Sequence, residues 1–128
     1  MLLIMWVAAI LAGLVHVLIF GMESLWWSTA AVRARFRQTP DQAAATRLIA
    51  FNQGFYNLFL AAGTFAGLAL IPRGYPGLGL TLVCWNLLSM LGAAMVLAAS
   101  APRMWRGALI QGTAPVLFFA FAIVHWVG

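Results

Sequence analysis

The sequence predicts an all-α integral membrane protein: a four-helix bundle of four spans with both termini on the outer side of the membrane. Three observations carry this. Hydrophobic residues make up 65% of the 128-residue chain and charged residues only 7%, with a mean hydropathy of +1.00. A soluble domain carries about 25% charged residues, so this chain cannot cover a water-facing surface. The apolar residues fall into four runs, residues 2–27, 48–71, 78–100 and 107–127, each long enough as a helix to cross a hydrocarbon layer of ~30 Å. The arginines fall unevenly between these runs. Arg33, Arg35, Arg37 and Arg47 lie in the first connection or at its end, Arg103 and Arg106 in the third, and Arg73 alone in the second. Six against one places the first and third connections in the cytoplasm.

The first run ends in Trp26-Trp27, which reads as an interfacial pair. Its apolar stretch is too long for a secretory signal and lacks a basic start, so it reads as a retained span. His16 lies mid-helix, and Glu23 follows seven residues later, two turns on and on nearly the same face. A carboxylate at that depth costs about 2 kcal/mol or more unless paired or protonated. Residues 28–46 read as the longest loop. Within it Thr39-Pro40-Asp41 predicts a helix start, with a cap, a proline in the first turn and an acid at the positive dipole end. That helix is expected to run unbroken into the second span.

The second span holds the densest polar group in the chain. Asn52, Gln53, Tyr56 and Asn57 fall within an arc of about 140° at ~100° per residue. Interhelical hydrogen bonds in a bilayer return on average only ~0.6 kcal/mol each, so four polar residues make poor glue and point to a site. Further along, Gly63 and Gly67 form a GxxxG pattern suited to close packing. Pro72-Arg73-Gly74-Tyr75-Pro76-Gly77 reads as a tight turn. The third span carries Asn86 and Ser89. In the fourth, Pro115 frees the backbone carbonyl of Gln111, so that residue offers two polar groups.

Glu23, Asn52, Gln53 and Gln111 are expected within about two turns of the cytoplasmic surface, with His16 and Asn57 deeper and Arg47 at the rim. Polar groups confined to one half describe a ligand cavity better than a pore, which needs them through the full thickness. Glu23, His16 and Tyr56 are the candidate catalytic groups, for proton transfer and oxyanion stabilisation. Asn52, Gln53, Asn57, Gln111 and Arg47 are the candidate ligand-binding groups. No metal motif occurs, and the single Cys84 excludes a disulfide within the chain. A single axial histidine to haem is the one cofactor arrangement open to His16, and no second feature supports it; cofactor use stays open.

Two resemblances follow from these residues. His16 and Glu23, the run Asn52-Gln53-Gly54-Phe55-Tyr56-Asn57-Leu58-Phe59-Leu60-Ala61-Ala62-Gly63, and Gln111-Gly112-Thr113-Ala114-Pro115 resemble a family of small bacterial membrane proteins. That family is known as domain of unknown function thirteen-hundred-and-four. The resemblance implies four spans and this length, and brings no activity. More faintly, Arg47, Asn52, Tyr56 and Leu58-Phe59-Leu60 are similar in placement to the second helix of the membrane-associated glutathione and eicosanoid proteins, four-span homotrimers. Gln53 and Gly54 stand where that pattern has an acid, and the third span lacks its arginine-tyrosine pair.

The expectation is an inner-membrane, multi-pass protein that binds a small lipophilic molecule with a polar head in the cytoplasmic leaflet, as an isomerase or transferase where it catalyses. The alternatives are a proton-coupled carrier or exporter and a non-catalytic scaffold. Membrane lipid is the expected surroundings and nucleic acid is not a partner. The slim helices and the Gly63–Gly67 surface suggest a homo-oligomer.

Overall fold

The computed structural model describes residues 1–128 and is built of helices and turns. The elements are α1 (Leu3–Phe20), a π-turn (Gly21–Leu25), α2 (Ala30–Phe36), α3 (Pro40–Leu70), α4 (Pro76–Ser100), a 3-10 turn (Pro102–Met104) and α5 (Trp105–Val127). Helix α1 packs on α3 and α5, and α4 packs on the same two, so the four long helices close a circuit with α1 and α4 on one diagonal. Three segments are long and apolar enough to cross a membrane: Leu3–Leu25, Pro76–Ser100 and Pro102–Val127. Helix α3 has the length but not the hydropathy, because Asn52, Gln53, Tyr56 and Asn57 interrupt its apolar run.

The start of α3 is fixed by local chemistry. Thr39 accepts a bond from the Gln42 amide N–H at 3.2 Å, and the Gln42 side chain accepts from the Thr39 amide at 3.0 Å. This reciprocal capping box satisfies two donors that a helix end would otherwise leave open. Residues 28–46 are not the plain loop that their composition suggests. Val32 and Phe36, four residues apart, give α2 an apolar edge, and Val32 joins Trp27, Ala43 and Ala50 in a small second core. Trp27 is consequently buried, its indole N–H donating to the Ala43 carbonyl at 3.1 Å. The neighbouring Trp26 stays half-exposed.

Helix α2 ends in a complete reversal. Arg37 adopts φ 55°, its N–H bonds the Ala34 carbonyl, and the Gln38 N–H bonds the Arg33 carbonyl. This is the Schellman geometry, in which glycine is the usual residue and a side chain costs roughly 1–2 kcal/mol.

The main core is built from small residues on α1 (Ala8, Ala9, Ala12) facing larger ones on α4 and α5 (Val83, Leu87, Met90, Phe118). Gly63 and Gly67 do not form an outward surface. Gly63 packs under the Asn86 side chain, and a Cβ on Gly67 would lie 2.7 Å from the Gly79 carbonyl of α4. The reverse holds for Gly79, whose Cβ would lie 2.5 Å from the Gly67 carbonyl. The two helices meet backbone to backbone, which only paired glycines permit. The GxxxG pattern is therefore used inside the chain and supplies no argument for association.

Substituting either glycine of this contact tests it. Gly67→Leu or Gly79→Leu is expected to destabilise the protein by about 1–3 kcal/mol or more through overpacking. Gly92→Leu, at a position with no atom near its Cβ, is expected to leave stability within about 0.5 kcal/mol. Thermal unfolding in one mild detergent reads all three.

Candidate functional site

The site is organised around Glu23, which the π-turn carries toward α3. The amide N–H of Trp26 bonds the Gly21 carbonyl at 2.9 Å, five residues back, and so inserts one residue into the turn. Gly54 allows the approach, since a Cβ there would collide with the Ser24 hydroxyl and crowd the Phe20 carbonyl. Ser24 Oγ donates to the Phe51 carbonyl at 2.8 Å and pins the turn to α3. One turn further along α3, Asn57 Nδ2 donates to Glu23 Oε2 at 2.9 Å and also to the Gln53 carbonyl at 3.1 Å. The carboxylate is half-buried and has one side-chain partner.

Three concavities meet at this residue. One, of about 350 Å³, lies between α1 and α5 beneath α2 and the 3-10 turn. Val15, Leu18, Ile19 and Ile110 form apolar walls, and Leu18 and Ile110 are also exposed on the outer surface, so the cavity opens sideways. Its polar groups are Glu23 and Gln111 below, with Arg35, Gln38 and Arg103 at the mouth. A second concavity, of about 260 Å³, joins Glu23 and Gln38 to Gln53 and Thr46. A third, of about 350 Å³, runs from Glu23 past Ser24 and Trp26 to Arg47.

The structure thus brings Glu23, Asn57, Gln53, Gln111 and Arg47 around one junction, although Gln111, Gln53 and Arg47 look onto it from different sides. Asn52 and Tyr56 stand apart. Asn52 is exposed and donates to the Leu48 carbonyl of its own helix at 2.8 Å, and Tyr56 is 65% exposed. The reason is rotational. The buried line of α3 runs through Ala50, Gly54 and Ala61; at ~100° per residue Asn57 lies beside that line, whereas Tyr56 and Asn52 lie more than about 100° around.

His16 is separated from Glu23 as well. It is fully buried, with Nδ1 against the Ala12 carbonyl at 2.9 Å, and it lines none of the three concavities. The seven-residue spacing assumed a regular helix, and the widened turn at Gly21–Leu25 breaks that phase. At Pro115, Thr113 bonds the Leu109 carbonyl at 2.6 Å rather than the one freed at Gln111.

Sequence reasoning passed over Arg35, Gln38 and Arg103 as site residues. The Val32–Phe36 spacing marks a short amphipathic helix but does not separate Arg35 from Arg33, which lies between the same two residues. Gln38 had no signal, because its position follows from the reversal at Arg37. No cluster of metal-ligating side chains is present.

The Glu23–Asn57 bond has a measurable consequence. Asn57→Leu removes the one side-chain donor on a half-buried carboxylate and is expected to cost about 1–3 kcal/mol in thermal unfolding. Tyr56→Phe is expected to change stability by less than about 0.5 kcal/mol.

No curated protein and no solved structure is significantly similar to the chain. A family model described as "Protein of unknown function (DUF1304)" matches residues 10–123, which includes the π-turn, all of α3 and the Gln111–Pro115 segment. On that match, which spans the cavity and both of its walls, the chain belongs to the DUF1304 family.

Proposed function

We propose that this protein binds a small lipophilic molecule with a polar head, in the cavity between α1 and α5. The observation that carries the reading is the division of its lining: apolar side chains on the helix walls, and a carboxylate, two amides and two guanidinium groups toward one end. Ligand sites are mostly apolar concavities of about 300–1,000 Å³ with a few convergent polar groups, and this one falls at the small end of that range. The side opening past Leu18 and Ile110 gives a hydrophobic molecule a route from lipid without passing through water. Glu23 is the acid-base group that any isomerase or transferase chemistry here would use.

The setting in the membrane is part of the proposal. Helix α3 is read as a fourth span, its polar residues near one end, in a four-helix bundle. Six of seven arginines lie in the first and third connections, so the termini are placed outside and the cavity in the cytoplasmic leaflet of an inner membrane. A homo-oligomer stays part of this reading, although Gly63 and Gly67 no longer support it.

Extraction of the purified protein and mass spectrometry of the bound molecules is expected to find an amphiphile in near-stoichiometric amount. Gly107→Trp, which fills the cavity from α5 where a Cβ has ordinary room, is expected to remove it. Recovery of the same molecules from both proteins would rule out this cavity as the binding site. For orientation, a reporter fused after Gly128 is expected to be active only when it functions outside the cytoplasm; cytoplasmic activity would reverse the topology.

A further inference from the structure

The head-group end of the cavity is specific enough to name what it recognises, and this step rests on the ligand reading above. Arg35 comes from α2 and Arg103 from the 3-10 turn before α5, so two separate segments bring cations to one mouth. Arg35 reaches across that mouth, its Nη2 lying 3.9 Å from the Cβ position of Gly107 on α5. The chain has only two acids. Asp41 sits in the first turn of α3 outside the cavity lining, and Glu23 is engaged by Asn57. Neither cation is therefore neutralised by a carboxylate at its own level. Guanidinium groups so placed favour an oxyanion, which they can bind through paired N–H donors.

Beside them the requirement changes. Gln38 shares this lining, and its Oε1 is enclosed by protein without a donor. An acceptor left without a partner costs stability, so a turn of this half-buried side chain toward the cavity, where a ligand donor meets it, is favoured on binding. Gln111 lies six residues into α5 from Trp105, roughly 9 Å along that helix at ~1.5 Å per residue. Beyond the polar groups only apolar wall continues, through Leu18 to Val15. A volume of about 350 Å³ leaves room for one alkyl chain rather than two.

We infer that the cavity recognises a single-chain amphiphile whose head ends in an oxyanion and carries a hydrogen-bond donor close to it. Arg35 and Arg103 take the oxyanion, and Gln38 takes the donor. Two kinds of molecule share this chemistry. A monoacylglycerol phosphate offers a hydroxyl and a phosphate, and an N-acyl amino acid offers an amide N–H and a carboxylate.

The test is a binding series with one chain length, read by native mass spectrometry and thermal shift on the full protein in neutral detergent. The probes are monododecanoylglycerol phosphate, N-dodecanoylglycine, dodecyl phosphate (anion without the neighbouring donor), monododecanoylglycerol (donor without anion) and dodecyltrimethylammonium. At least one of the first two is expected to bind about tenfold tighter than monododecanoylglycerol, and the cation weakest of all. The stronger of the two identifies the source of the oxyanion. Arg35→Gln and Arg103→Gln are each expected to weaken the anions about fivefold or more and leave monododecanoylglycerol unchanged. Gln38→Leu is expected to weaken the donor-bearing anions but not dodecyl phosphate.

Arg33→Gln, on the same short helix but outside the cavity lining, serves as the folding and surface-charge control. Equal binding of neutral and anionic probes, indifferent to Arg35 and Arg103 but abolished by Gly107→Trp, overturns the head-group inference and leaves the cavity reading standing. Binding that Gly107→Trp does not alter, or no binding by any probe, overturns both.

Discussion

The approach of α1 to α3 at Gly54 is the constraint on which the rest of the molecule depends. With no side chain at that position, the end of α1 comes close enough for Ser24 to bond the Phe51 carbonyl and for Glu23 to reach Asn57. The π-turn is the conformational consequence. A regular helix would continue past α3 in its original phase, whereas the inserted residue rotates Glu23 toward it. Both the anchoring of α1 and the location of the carboxylate thus derive from one missing Cβ.

Polar residues elsewhere in the long helices obey a different rule. Thr64, Thr81, Asn86, Ser89, Ser100 and Thr113 each bond the carbonyl four residues back in their own helix. In an apolar solvent this satisfies a donor without needing a second helix. Away from the Gly21–Trp27 segment the helices consequently associate through shape, by glycine pairs and alanine rows. Against that background the Glu23–Asn57 bond is an exception. With the Ser24 bond to the Phe51 carbonyl and the Trp27 bond to the Ala43 carbonyl, it belongs to the one group of side-chain bonds that join separate segments, all made by residues 23–27 to α3.

The mouth of the cavity has its own foundation. Trp27, Val32, Ala43 and Ala50 form a second core that attaches α2 to the early turns of α3, and the Trp27 indole bond to the Ala43 carbonyl orients it. The reversal at Arg37 then turns the chain toward α3 and encloses the Gln38 side-chain oxygen. A basic connection that would by composition be a solvated loop becomes a fixed cover holding one arginine over a cavity. The side opening between α1 and α5 stays clear of this cover, so entry from lipid and recognition of the head are handled by different parts of the molecule.

By itself the sequence determined the helical membrane character, since an apolar composition with few charges admits little else, and the start of α3, since a capping box is local chemistry. It also identified Glu23, Asn57 and Gln111 as polar groups of interest, because their cost in an apolar setting is a property of residue type and depth. Rotation was beyond it. Four polar residues within a wide arc of α3 could not be divided into inward and outward members until the buried line through Gly54 and Ala61 was known. The relative facing of His16 and Glu23 depends on the same unknown, as a single π-turn shifts helical phase without leaving a trace in residue spacing. Arg35 and Gln38 reached the cavity only through contacts between segments distant in sequence. Such contacts are made by tertiary packing, which alone decides what a side chain faces.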